Sequence, residues 1–355
     1  MQLPYLDYLP ALTPPFDIAP TAAVIGRTVA GAGLTLRGYA TVRGDGEWIR
    51  IGANAFFGER ATVHIADGFI ATAIGDDVTV GRYALVHACT LGDGVVVADA
   101  ATVMDGATVG SHALIAPGAL VPPRKVLAGG FIHAGNPAQP LRAIGRDQLA
   151  AAAAAIRRGV PDTLGRDDDL PPLDMAPYLP PNAGRGPLHA LPSGAPQVGR
   201  ALAAPTSVLV GDVRLADEAG VFFGCAVVAG DARIEIGARS NIQDNSILVT
   251  DSVRGDLIVG QRVTFGHNVR MGSGVVEDDA LVGMSAKVGD RVVVERGGVI
   301  AAGAWVGPDT VVKAGWIWAG RPAREFRPLR PAEREGFDGI IAVYTRYATD
   351  YRRVP

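Results

Sequence analysis

Disulfide chemistry has little to work with in this chain. Only two cysteines, Cys89 and Cys225, occur in 355 residues. A disulfide framework is excluded, and a reducing, cytoplasmic compartment is expected. Aromatic residues make up 6% of the sequence, too few for a broad globular core. No apolar run reaches the roughly 18 residues needed to cross a bilayer; the longest bland stretch, Leu149 to Ile156, is mostly alanine. The opening residues, MQLPYLDYLPALTPPFD, have neither the basic nor the apolar region of a secretory signal. Basic and acidic residues nearly balance, 33 against 36 with a net charge of −3, so no nucleic-acid footprint is expected. A nucleic-acid partner and a membrane partner are therefore both disfavoured. Glycine, in contrast, is abundant at 46 residues, which suits narrow, tightly turned β structure.

The glycines fall in a rhythm. Val24-Ile25-Gly26, Ile51-Gly52, Ile74-Gly75, Val80-Gly81, Leu91-Gly92 and Val109-Gly110 mark a unit built on a period of six. An aliphatic residue followed by Gly at that period is a β-helix signature. Each hexapeptide makes one short strand and a turn, and three close one triangular coil that touches only its neighbours. An amphipathic helix is excluded, since each glycine in a helix interior costs about 1 kcal/mol.

The rhythm is written twice. Gly52 and Gly237, Gly81 and Gly266, and Gly135 and Gly320 are each separated by 185 residues, which reads as a tandem duplication. Asp45 and Asp231 are separated by 186, which implies one extra residue between them. The expected organisation is a Pro-rich arm over residues 1–20, a first β-helix domain with helix over 21–158, a Pro/Gly-rich linker over 159–205, and a second β-helix domain with a C-terminal helix over 206–355. Helices are expected from Gln148 to Arg158 and from Pro331 to Arg353. LPPLDMAPYLPP in the linker echoes LPYLDYLPALTPP at the start, so each half is expected to begin with a similar arm.

Both halves resemble the γ-class carbonic anhydrase family over roughly 22–157 and 206–353. The resemblance rests on Arg43-Gly44-Asp45, Asn241-Ile242-Gln243-Asp244, Phe265-Gly266-His267, Val86-His87-Ala88-Cys89, and the closers Gly135-Asn136-Pro137-Ala138 and Gly320-Arg321-Pro322-Ala323. It implies a mainly β fold of two tandem left-handed parallel β-helix domains, each followed by an α-helix. It also implies a catalytic divalent metal held by three histidines at a seam between adjacent prisms. Carried over position by position, the first ligand slot holds His64 in the first half and Val249 in the second. The second slot holds Arg82 and His267, and the third His87 and Gly272. Neither half completes the set alone; His64, His87 and His267 together do. The resemblance therefore implies a single composite metal site between the two domains, with Zn favoured and Fe(II) or Co(II) acceptable to imidazole ligands.

The supporting positions divide the same way. Arg43 and Asp45 stand against Ala229 and Asp231, and Gln243 and Asp244 stand against Gly58 and Glu59. The implied roles are Gln243 orienting water or substrate and Arg43 bracing the site through Asp45 and Asp244, with Tyr344 a site neighbour from the last helix. The implied enzyme is a zinc-dependent lyase or hydrolase. It would use a metal-bound hydroxide for CO₂ hydration or for a related reaction on another small electrophile. The stretch IADGFIATAIG after His64 carries no Glu to shuttle protons; Asp67 is its only acid. Two other classes are carried: a non-catalytic scaffold with a degenerate site, and a CoA-dependent hexapeptide acyltransferase, for which no long His-bearing loop is evident. A small-molecule substrate and homo-oligomers through β-helix faces are the expected partners. His112 and His133 are read as outer or turn positions, His189 as a linker residue and Cys89 as a small packed residue. Arg82 is a candidate partner for Glu59.

Overall fold

The computed structural model describes residues 1–159 and 186–353. The chain separates into two compact units, 1–166 and 167–353, each a parallel β-solenoid closed by a helix.

In the first unit the short strands stack coil upon coil in parallel register. One inward column runs Val24, Val42, Val63, Val86, Val103 and Val121. A second runs Leu36, Phe57, Val80, Val97 and Ile115. All of these are buried. Burying each such side chain contributes about 1.5–3 kcal/mol, and the columns make the six-residue period a structural necessity. The glycine after each aliphatic residue has a steric cause. A Cβ at Gly81 would lie 2.6 Å from Asp99 N, and one at Gly266 would lie 2.6 Å from Met284 N. The next coil passes too close for any side chain there. The turns also place non-glycine residues at positive φ, among them Asn54, Tyr83, His112 and Asn268.

The second unit repeats these columns with several residues exchanged. They run Leu209, Val227, Leu248, Met271, Val288 and Val306, and Val221, Ile242, Phe265, Val282 and Ile300. Every register pair named lies 185 residues from its counterpart. The long strands Thr41–Ile51 and Ala226–Ile236 have the same length, 11 residues, and their paired positions keep that spacing. No extra residue intervenes. The counterpart of Asp45 is Gly230 rather than Asp231, and that of Arg43 is Val228 rather than Ala229.

Three other expectations change. The N-terminal residues are not a loose arm: Gln2–Leu3 and Ala11–Leu12 pair with strand Ala23–Ala30, and Phe16–Ile18 pairs with Leu34–Leu36. LPPLDMAPYLPP, at 170–181, lies outside the described residues, as does most of the expected linker. The second unit's equivalent of the opening strand is Leu188–His189, paired with Leu209 and Val210, so His189 is a buried strand residue. His133 is also not on the outside. It follows Ile115 in the inward column, is 1% exposed, and its Nε2 lies 2.9 Å from the Ala128 carbonyl oxygen. Trp318 takes the same place in the second unit.

Each solenoid ends by reversing direction. Phe131–Ala134 pairs antiparallel with Gln139–Ala143, and Trp316–Gly320 with Ala323–Pro328. Helix α1, Arg146–Arg157, then returns along the first unit, where Arg157 donates to Thr79 Oγ1 at 2.9 Å. Helix α2, Pro331–Tyr351, buries Ile341, Tyr344, Tyr347, Ala348 and Tyr351, positions three to four apart that form one helical face. Tyr344 packs edge-on against Phe222 at 5.0 Å, and Tyr351 against Phe223 at 5.0 Å.

Candidate metal centre

In the first unit His64 and His87 end the strands Thr62–His64 and Leu85–His87, and register makes them direct neighbours on successive coils. Their Nδ1 and Nε2 atoms stand 3.3 Å apart. The other nitrogen of each ring faces a carboxylate: His64 Nε2 lies 3.0 Å from Asp45 Oδ1, and His87 Nδ1 pairs with Asp105. An imidazole that donates N–H to a carboxylate through one nitrogen keeps a lone pair on the other. The two nitrogens that face each other are therefore both acceptors. That contact is repulsive unless a cation or a proton draws on both lone pairs. Two imidazole nitrogens at about 2.0–2.1 Å from a tetrahedral ion stand about 3.3 Å apart, the separation seen here. The donor chemistry and spacing of this pair fit a divalent ion, and the carboxylate behind each ring fits the usual support of metal-binding imidazoles.

Arg43 and Asp45 lie on the same long strand and form a buried ion pair. Arg43 thereby holds Asp45, and Asp45 fixes the His64 tautomer. The Thr72 hydroxyl donates to the His64 carbonyl oxygen at 2.5 Å and anchors the backbone there.

The second unit supplies different parts. His267 occupies the turn after strand Thr264–Phe265 and is fully buried. Asp244 Oδ2 lies 3.2 Å from its Nδ1, and Tyr344 of α2 brings its hydroxyl 3.2 Å from its Nε2. Asp244 Oδ1 also accepts the Phe223 N–H at 3.0 Å, which fixes the carboxylate. Gln243, 3% exposed, donates to Asn241 Oδ1 at 3.2 Å. Its own Oε1 is buried with no hydrogen-bond partner among the described residues. A buried acceptor left without a donor costs about 1–3 kcal/mol, so this amide is poised for a donor such as water or a ligand.

The positions the sequence marks as lost ligands are packed otherwise. Val249 and Gly272 carry no donor and sit at the register of His64 and His87. Arg82 pairs with Asp99, at 2.9 Å through Nε and 2.6 Å through Nη2, and not with Glu59: the stacked coil brings Asp99 directly above it. Asp231 accepts from Ser252 on the surface. Cys89 is buried, and burial followed by the nearby Asp105 charge raises its thiol pKa, so it offers no thiolate at neutral pH. Asp105 is the histidine partner the sequence left unmarked. Its link to His87 crosses one coil, and a stacking offset of 18 (105 − 87) is the signal that finds it.

No helix among the described residues is long and apolar enough to cross a membrane. No family model matches the chain. It is 37% identical over 157 residues to γ carbonic anhydrase 1, mitochondrial, of Arabidopsis thaliana, covering 42% of this chain and 54% of that protein. It is 36% identical over 164 residues to protein YrdA of Escherichia coli, covering 44% and 89%. Over 144 residues it is 33% identical to a carbonic anhydrase of Geobacillus kaustophilus, covering 41% and 79%. The chain spans about half the length of the plant relatives it matches. A crystal structure from Desulfovibrio desulfuricans, provisionally named an acetyltransferase, aligns with 95% of the chain and 78% of its own, at a TM-score of 0.51 and 13% identity; that likeness concerns the fold. Taken with the paired histidines on their parallel coils, the two bacterial relatives settle the lineage: the chain belongs to the γ-class carbonic anhydrase family.

Proposed function

We propose that this chain is a metal-dependent enzyme of carbonic anhydrase type, with His64, His87 and His267 as one ligand set for one divalent ion. The observation that carries this reading is the His64–His87 pair, two carboxylate-backed imidazoles with opposed lone pairs 3.3 Å apart. The second unit has no such pair at the equivalent register, and it alone has an imidazole where the first has Arg82. The complementary losses favour a duplicated chain that keeps one set of ligands of two. Zinc suits three neutral imidazoles with an open fourth position, and Fe(II) or Co(II) is accepted by the same donors. When bound, such an ion supplies Lewis acidity and makes water acidic enough, with a pKa of about 7, to act as a nucleophile at neutral pH.

The protein's own residues do the rest. Asp45 and Asp105 hold His64 and His87 in the tautomers that point lone pairs inward. Arg43 holds Asp45 in place through their buried ion pair. Asp244 and Tyr344 set the His267 ring. Gln243 Oε1 accepts a hydrogen bond from water or substrate and orients it. The reaction this supports is CO₂ hydration or hydrolysis of a related small electrophile. Two buried thiols favour a reducing, cytoplasmic setting, and homo-oligomers through β-helix faces belong to the same reading.

The test is metal content of the purified chain, with His64→Ala and His267→Ala alongside and CO₂ hydration followed in each. The expected result is about one divalent ion per chain, lost in both variants together with hydration. A wild-type protein without stoichiometric metal, or dependence on only one of the two histidines, overturns the ligand set. Hydrolysis of 4-nitrophenyl acetate without CO₂ hydration assigns the site to ester chemistry. Acetyl-CoA turnover in metal-free protein assigns the chain to the acyltransferases.

A further inference from the structure

Beside Asp105 the first unit has an open cleft of about 640 Å³, lined by Ala66, Phe69, Ile70, Asp105, Pro123 and Arg124. Ala66, Phe69 and Ile70 belong to the loop between strands Thr62–His64 and Thr72–Ile74. That loop is a closed turn: the Ile70 N–H donates to the Ala66 carbonyl and the Ala66 N–H to the Ile70 carbonyl, both at 3.0 Å. Its tip holds Phe69 87% exposed, a costly place for a residue that ordinarily goes inside. Across the cleft Arg124 takes the left-handed turn conformation, φ 60. Its N–H is fixed to the Asp105 carbonyl at 2.8 Å. Its guanidinium is exposed and takes part in none of the ion pairs among the described residues.

A substrate of three heavy atoms has no use for such a space. Clefts that take small organic ligands run from about 300 to 1,000 Å³, mostly apolar with a few placed polar groups. Here the apolar wall is Phe69, Ile70, Ala66 and Pro123. The polar groups are one cation that forms no ion pair among the described residues and one carboxylate already engaged by His87. A guanidinium presents a planar fork matched to a carboxylate, while Asp105 repels an anion from the histidine end. An anionic ligand with an apolar body is therefore oriented: charge on Arg124, body along Phe69 and Ile70.

We propose that this cleft is a recognition subsite for short-chain aliphatic acyl compounds carrying a carboxylate, which places the natural substrate among molecules larger than CO₂. The inference deepens the proposed function and rests on it only for turnover; binding in the cleft stands by itself.

The experiment is calorimetric titration of the full chain with hexanoate, hexanamide and acetate, with metal content measured on the same preparations. Hexanoate is expected to bind saturably, with hexanamide and acetate weaker by about tenfold or more. Arg124→Ala is expected to bring hexanoate down to the hexanamide level, and Arg124→Lys to restore part of the difference. Phe69→Ala is expected to weaken hexanoate and hexanamide alike. Metal content is expected to be unchanged in all three variants. Hexanoate that fails to saturate, binds no better than hexanamide, or is indifferent to Arg124→Ala overturns the subsite. So does a Phe69→Ala variant that changes only the mass in light scattering, which assigns the loop to a contact between copies. Saturable hexanoate binding to a metal-free protein leaves the subsite standing and removes the proposed function instead.

Discussion

The two solenoid units are the same scaffold with different chemistry at matching places. His64 corresponds to Val249, His87 to Gly272 and Arg82 to His267, each pair 185 residues apart in sequence. Asp105 and Asp290 share a register position too, but the first pairs with His87 and the second caps the Ser273 N–H at 3.1 Å. The difference teaches that the columns and the turns constrain the fold, while residues at the ends of strands are free to gain or lose ligands. A turn residue changes from Arg to His without disturbing a coil because its backbone partners, not its side chain, hold the stack.

Core substitutions probe the common part of that comparison. Phe265→Ala in the second unit is expected to cost about 3–5 kcal/mol, and its register counterpart Val80→Ala about 2 kcal/mol. Denaturant unfolding that shows equal losses would mean the columns do not carry the fold. Chemistry separates the units next. Asp105→Ala is expected to weaken metal affinity by about 10–100-fold, since it unties the His87 tautomer. Asp290→Ala is expected to leave affinity unchanged. Competition with a chromophoric chelator reads both, and equal effects would break the assignment. A smaller contrast comes from Lys287, whose counterpart is Thr102. Burial first, and the Arg321 charge second, lower the Lys287 pKa from its ordinary 10.5 to about 8. Below pH 8 both folded and unfolded chains carry this charge, and the folded state bears its full cost. Between about 8 and 10.5 the unfolded chain binds the extra proton, so stability rises with pH. Lys287→Thr is expected to flatten that rise in unfolding curves across the window, and an unchanged slope removes Lys287 as its source. The smallest expected effect is none: Arg82→His alone adds no second ion in metal analysis, because Val249 and Gly272 leave the second unit without a counterpart of the His64–His87 pair.

The fold was legible because the aliphatic-Gly rhythm is enforced by steric contact between coils, as Gly81 and Gly266 show. What was not legible was vertical. Whether a residue points in or out at a solenoid's end depends on where the last coil stops, so the repeat suggests an outer or turn position for His133 although it follows Ile115 in the core column. Matching Asp45 to Asp231 by identity gave a spacing of 186; the strand registers give 185 and match Asp45 to Gly230. Candidate site residues were visible as types, and their local partners, Tyr344 against His267 above all, needed the helix to be laid on its sheet. Asp105 stayed hidden since nothing adjacent in sequence ties it to His87.

The reversal of direction that ends each solenoid bears on what the protein does not do. A stack of parallel strands presents open N–H and C=O groups at its last rung and could recruit another chain without limit. Gln139–Ala143 and Ala323–Pro328 cover the last rung of one sheet in each unit, running the wrong way for a further coil. They also carry Pro140, Arg142 and Arg324 outward. On that face a further parallel coil finds no matching edge, so the reversal opposes templated growth there.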